Sequence, residues 1–332
     1  MKHFGDREPT AFFPRMKRRA KPYVRTAVYA ANRLLGRFDE RIWLIGEGRS
    51  GTTWIAGLLN PGKRMLERFE PFHPDYNVRV QYYPKLLYRR PGTVDPPLEA
   101  MMRQTFRAGY WDKWVDQHQH GWAFDGLLVK DVFASLLAKW ALEFLPPTKT
   151  ILLIRNPFAV ARSKIEKVGW DWAEDIGALL GDEALMADHL APFEAMLRAV
   201  AARNDTFLTH IAMWGIVHHV LQRQFARNEL HVVFYEDAVA DRERVSAQLR
   251  HYLGRAPGAA TAWDETSISR VSSPEQVERA RSDPYGSWRQ GLDEARFRDG
   301  MAILAALGVG DIYDAAGRPD ARRMRFRDDP AA

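Results

Sequence analysis

Residues 41–53 read RIWLIGEGRSGTT, and no other stretch limits the possible folds of this chain as tightly. An apolar run of this length ending in glycine suits a strand buried on both faces. The loop that follows spaces Gly46 and Gly51 as G-x-x-x-x-G, and Trp54, Ile55, Leu58 and Leu59 then recur at helical intervals. Strand, glycine loop and helix in that order open a nucleotide-binding α/β unit. Successive N–H groups of such a loop, with the helix N-terminus behind them, point at an anion. One position departs from the nucleoside-triphosphatase pattern. Thr52 stands where those proteins carry the lysine that reaches the γ-phosphate. Arg49 brings positive charge from inside the loop instead, as a planar fork suited to a phosphate or sulfate oxygen.

Three further apolar runs read as buried strands: GLLVK (126–130), TILLIR (150–155) and LHVVFYE (230–236). Helical patterns separate them, among them ASLLAKWALEFL, PFAVARSKIEKV with Pro157 placed for a first turn, and THIAMWGIVHHVLQRQFARN. This alternation predicts an α/β fold of three layers, a mainly parallel sheet flanked by helices, of the P-loop nucleotide-binding type with helical insertions. The segment 61–121, rich in Pro, Tyr and Trp, reads as an irregular insertion over the sheet with one helix from Leu98 to Gln117. Residues 1–38 form a basic N-terminal extension, 39–316 a single domain, and 317–332 a charged tail expected to be mobile.

Composition narrows the chemistry. The chain has no cysteine, which removes disulfides, a thiol nucleophile and cysteine-ligated zinc. A net charge of +6 favours anionic ligands. No apolar run reaches the roughly 18 residues of a membrane span, and the basic N-terminus lacks a signal-peptide core. A cytoplasmic protein without a transmembrane segment is the expectation.

GRSGTTW (Gly48 to Trp54) closely resembles the 5′-phosphosulfate loop of sulfotransferases that use 3′-phosphoadenylyl sulfate, with arginine before the serine as in the tyrosylprotein and carbohydrate branches. The resemblance implies that Arg49, Ser50, Gly51, Thr52 and Thr53 hold the 5′-phosphosulfate and that Trp54 stacks on adenine. A second match lies in LLIRNPFAVARSKI, where the family's 3′-phosphate ligands correspond to Arg155 and Ser163. That placement is physically sensible. Arg155 leaves the carboxyl end of a strand, where open α/β sheets bind ligands, and Ser163 lies about two turns along the next helix. FYEDAVAD implies that Tyr235 lies near the adenine. RSDPYGSWR implies Arg281 as a further 3′-phosphate ligand, although the family's lysine and glycine are here Ser282 and Asp283, and Arg289 is the alternative. The resemblance covers roughly Ile42 to Leu292.

Sulfuryl transfer needs a base for the acceptor proton and positive charge on the transferring group, and it requires no metal. In branches with arginine in the loop, a glutamate follows about twenty residues later, which implies Glu70, within Phe-Glu-Pro, as base. Glu67 and His73 are its rivals. The cytosolic branch uses a histidine two residues after a strand-end lysine; here the lysine is Lys130 but the histidine position is Val132. Lys130 is therefore expected to stabilise the sulfuryl oxygens. Trp170, Trp172 and the aromatic insertion are places for a small-molecule or carbohydrate acceptor carrying a hydroxyl, or an amine. Nucleic acid is not an expected partner. Two other readings remain: a P-loop kinase, with Asp131 as its magnesium carboxylate, and a nucleotide-binding relative without turnover.

Overall fold

Among the described residues there are five strands: β1 (Arg41–Gly46), β2 (Leu66–Phe69), β3 (Leu127–Asp131), β4 (Lys149–Ile154) and β5 (His231–Phe234). They make one sheet in the order β2-β3-β1-β4-β5, with every neighbouring pair parallel. A computed structural model of the chain describes residues 12–119, 121–166, 174–256 and 274–329. The fold is α/β, with helices against the sheet as the alternating pattern predicts.

Alternation of side chains along each strand divides the core in two. Trp43 and Ile45 of β1, Leu127 and Val129 of β3, and Leu152 and Ile154 of β4 enter the larger cluster. Ile42, Leu44, Leu128, Ile151 and Leu153 face the other way. The second face is covered by Ile55, Ala56 and Leu59 and by Val245, Leu249 and Leu253 of the helix Arg242–Leu253. The first is covered largely by the helix Thr206–Gln224, which is buried along almost its whole length. Strands buried on both faces read as continuous apolar runs, so β1, β3 and β4 are visible in the sequence.

The fourth predicted strand ends early. β5 stops at Phe234, and Tyr235 starts the short helix Tyr235–Ala240. β2 lies inside the stretch read as an irregular insertion, and the helix expected from Leu98 to Gln117 is confined to Pro96–Phe106. That helix stops where Ala108 takes a left-handed φ of 49°. Beyond it Asp112 turns the chain by accepting the Trp114 and Val115 N–H groups (2.8 and 3.2 Å).

The described parts of the N-terminal extension and of the tail pack closer than the sequence suggests. In α1 (Phe12–Leu34), Tyr29 is fully buried in the core, Arg25 donates to the Gly121 carbonyl (2.6 Å), and Asn32 donates to the Trp122 carbonyl (2.8 Å). The segment from Gly317, expected to be a free tail, folds back on the body. Met324 and Phe326 are buried in the main core, and Arg227 pairs with Asp329 (2.6 Å). Two apolar side chains among many charges anchor the tail, which its composition hides.

Candidate functional site

β1 is the central strand, and the glycine loop leaves its carboxyl end between β3 and β4. Gly46 has no room for a side chain, because a Cβ there would lie 2.7 Å from the Leu153 carbonyl oxygen. Ser50 Oγ donates to the Glu47 carbonyl (2.5 Å) and closes the loop. Gly51 precedes α2 (Thr52–Leu59) in a left-handed conformation, φ 93° and ψ 17°. A Cβ on it would lie 2.5 Å from Tyr235 Cδ2, so the Tyr235 ring covers the loop at close range. The first N–H groups of α2 lack intrahelical acceptors and face the space in front of the loop.

The two sequence motifs for an anion meet here. Arg49, at φ 71°, donates from Nε to Ser163 Oγ (3.0 Å) on α3 (Pro157–Ile165). Arg155, just beyond β4, donates to the Arg49 carbonyl (2.9 Å) and lies 4.4 Å over the Tyr235 ring. Trp214 steadies the Arg155 backbone by donating to its carbonyl (3.0 Å). Among the described residues the buried Nε of Arg155 has no hydrogen-bond partner. Burial, and then the charge of Arg155, pull the Arg49 guanidinium down to about 10. Its charged form is thus roughly 3 kcal/mol less favourable than in water, which a bound anion would offset.

A cleft beside these groups is lined by Arg155, Arg162, Ser163, Tyr235, Arg279 and Trp288. Arg279, which sequence reasoning missed, is the residue through which the helix Pro274–Ser282 adds a further positive charge to this cleft, where it pairs with Glu166 (3.4 Å). Arg281 is exposed and does not line it; two residues along a helix turn the side chain away from Arg279. Arg289, the alternative, is spent on the Ala315 carbonyl and the Trp288 ring. Trp54 stands half-buried, edge-on to Tyr235 with ring centroids 5.7 Å apart.

On the other flank of β1, β2 and β3 place the catalytic candidates. Phe69 is in register with Lys130, so Glu70 follows directly beside the end of β3, its N–H bonded to the Lys130 carbonyl (2.7 Å). Glu70 has a φ of 43°, and its carboxylate pairs with the buried Lys130 ammonium, which also lies over the Phe69 ring at 4.4 Å. Asp131 holds the turns on both sides: it accepts from Phe72 N–H (2.9 Å), Phe133 N–H (2.7 Å) and Ala134 N–H (2.9 Å). Burial pushes its carboxyl up to about 7 despite those bonds.

His73 sits near Glu70, against Phe133 and Tyr76, and its Nδ1 accepts the Asp75 N–H (3.2 Å). Burial lowers its pKa to about 4, so the ring is neutral at pH 7 with its remaining proton on Nε2. A ring so engaged is a poor proton acceptor. Glu67 faces His118 (3.4 Å). Glu70, His73 and the loop residues Glu47 and Gly48 open on one cavity of about 520 Å³. Val132 lines it too, at the position expected to lack a histidine. Trp170 and Trp172 lie outside the described residues.

A charge network beneath the loop was not anticipated. Lys164, next to Ser163 and fully buried, reaches Glu47 (3.3 Å) and Glu174 (2.6 Å), and Glu174 contacts His210 Nδ1 (2.6 Å). Burial raises the pKa of Glu47 against the pull of Lys164. The signal in the sequence was slight: a lysine at a core-facing helix position and a glutamate between two loop glycines.

No protein-family profile and no curated protein sequence matches the chain. Among solved structures it is similar to the sulfotransferase domain of the Synechococcus PCC 7002 olefin synthase, with 16% identity, 83% of this chain and 95% of that one covered, and a TM-score of 0.41. A sulfotransferase from Alicyclobacillus acidocaldarius gives 17% identity, 81% and 95% coverage, and 0.38. A mouse sulfotransferase complexed with PAP gives 12%, 80% and 83%, and 0.35. At TM-scores this low the likeness is loose, and the site stands on this chain's own residues. Among the described residues no helix is long and apolar enough to cross a membrane.

Proposed function

We propose that the chain is a sulfotransferase that takes 3′-phosphoadenylyl sulfate as donor and a hydroxyl or amine compound as acceptor. The observation that carries this reading is the junction of Arg49, Ser163 and Arg155, drawn from motifs about a hundred residues apart into direct contact. Two crowded guanidiniums, a serine hydroxyl and a helix N-terminus form a set of donors for a molecule with two anionic groups. Arg49, Ser50, Gly51, Thr52 and Thr53 would hold the 5′-phosphosulfate, and Arg155, Ser163 and Arg279 the 3′-phosphate. Trp54 and Tyr235 offer the aromatic surface for adenine. The donor supplies a sulfuryl group already activated on a phosphate leaving group.

The acceptor oxygen forms its bond to sulfur as the S–O bond to the 5′-phosphate breaks. The electron pair leaves with the phosphate, and the acceptor proton passes to Glu70. That transfer has an electrostatic consequence in this site. Once Glu70 is neutral, Lys130 loses its ion-pair partner and its charge becomes available to the sulfuryl oxygens. The base and the electrophilic stabiliser are therefore one device, switched by the proton.

A kinase is the competing reading, and two features speak against it. Thr52 replaces the γ-phosphate lysine. Asp131, which would have to bind magnesium, has both oxygens committed to backbone N–H groups. Calorimetric titration with adenosine 3′,5′-bisphosphate, and separately with ATP and magnesium, tests the proposal. Binding of the bisphosphate without binding of ATP supports it; the reverse result overturns it.

A further inference from the structure

The charged side chains lining the 520 Å³ cavity are mainly carboxylates, although the chain as a whole is basic. Among the described residues, the carboxylates of Glu47, Glu70, Asp75, Glu174 and Asp175 line it, against the one ammonium of Lys85. Lys130 and Lys164 compensate from behind the wall, pairing with Glu70 and with Glu47 and Glu174, and Lys85 pairs with Asp75 (2.8 Å). Glu47, Glu70, Asp75 and Glu174 each have a cation beside them, with His210 also on Glu174, so the charge left uncompensated among the described residues is that of Asp175. Asp175 is exposed and caps the Gly177 N–H (2.7 Å). Among the described residues no cation pairs with it.

The remaining wall is flat and apolar. Tyr76 and Trp114 stack with centroids 4.1 Å apart and planes 16° from parallel, and Phe133 and Met213 also face the space. Among the described residues the buried indole N–H of Trp114 has no hydrogen-bond partner. A cavity of this size takes a small molecule. Aromatic walls favour a flat body, and aromatic faces together with carboxylates favour a cation.

Resting on the sulfotransferase reading, we infer that the acceptor is a small aromatic hydroxyl compound bearing a protonated amine. Its hydroxyl faces Glu70, its ring lies along the Tyr76–Trp114 wall, and its ammonium meets the carboxylates at the Asp75 and Asp175 rim. The same carboxylates disfavour an acidic carbohydrate. The reaction is unchanged: the hydroxyl oxygen gains sulfur and loses its proton to Glu70, while the amine stays protonated and spectates.

Three phenols of similar size separate the alternatives: tyramine, 4-ethylphenol and 3-(4-hydroxyphenyl)propionate, with cationic, neutral and anionic tails. Titrated into the full chain, tyramine is expected to bind at least about tenfold tighter than 4-ethylphenol, with the propionate weakest. In Asp75→Asn/Asp175→Asn, changed at exposed positions that leave the buried network intact, the tyramine advantage is expected to shrink by about threefold or more while 4-ethylphenol is unaffected. Equal binding of the three probes, tighter binding of the propionate, or an undiminished advantage in the double variant overturns the inference. A bisphosphate titration of the same preparation keeps the two readings apart. Bisphosphate binding without a cation preference removes only the acceptor class, and a cation preference without bisphosphate binding removes the donor assignment.

Discussion

The two flanks of β1 hold their charges in opposite ways. On the β4 side Arg49 and Arg155 crowd each other, Arg49 donating to Ser163 and Arg155 to the Arg49 carbonyl, and burial with the neighbouring charge pulls the Arg49 guanidinium down. On the β2 side Glu70 and Lys130 already neutralise one another, and Asp131 fixes the turns around them. In the proposed reading, one flank is prepared for an anion that arrives from outside, and the other is balanced at rest and becomes active when a proton moves. A donor site and an acceptor site built on the same sheet would need this difference, because the donor must be held while the acceptor must be changed.

The largest expected effect tests the β2 flank. Glu70→Gln should lower turnover by about 10²- to 10⁴-fold, the range of a lost general base, while bisphosphate affinity in calorimetry stays within about twofold. A matching loss of bisphosphate affinity would break the division between flanks. Arg155→Ala should do the reverse and weaken bisphosphate binding about 100-fold, close to 3 kcal/mol for charge-assisted bonds.

Smaller effects sharpen the picture. Gly51→Ala sets a side chain at φ 93° against the Tyr235 ring, so about 1–3 kcal/mol of stability should go, read as a fall in Tm. Adding Tyr235→Ala should recover the steric part and leave the backbone part. His73→Gln should leave the shape of the pH–rate profile between pH 5 and 8 unchanged, because the ring is neutral over that range. The same substitution should also act on stability in acid. In the unfolded chain the imidazole takes its proton near pH 6.5, but in the fold only near 4. Wild type should therefore lose more Tm than the variant as pH falls from about 6.5 to 4.

The β4 flank was legible in the sequence and much of the β2 flank was not, for a physical reason. β1 and β4 are buried on both faces, so apolar runs announce them, and their glycine and arginine punctuation sits at the strand ends. β2 is an edge strand of four residues, Leu66 to Phe69, whose polar members hide it. Arg68, fully buried, is kept inside by Asp116 (3.1 Å) and the Tyr110 ring (4.2 Å), partners more than forty residues away. No local pattern records such a pairing. Glu70 was singled out by resemblance alone; only the register of Phe69 with Lys130 explains why it stands where it does. That Arg279 rather than Arg281 lines the cleft has a similar origin, since spacing fixes a helix but not which of its faces meets the cleft.

The central claim is that Arg155 and Ser163 form a seat for a phosphate distinct from the one on the glycine loop. Calorimetry with adenosine 3′,5′-bisphosphate against adenosine 5′-monophosphate addresses it most directly, since the two differ only in the 3′-phosphate. The account predicts at least about 100-fold tighter binding of the bisphosphate, an advantage that collapses in Arg155→Ala. Equal affinity for the two nucleotides would contradict it.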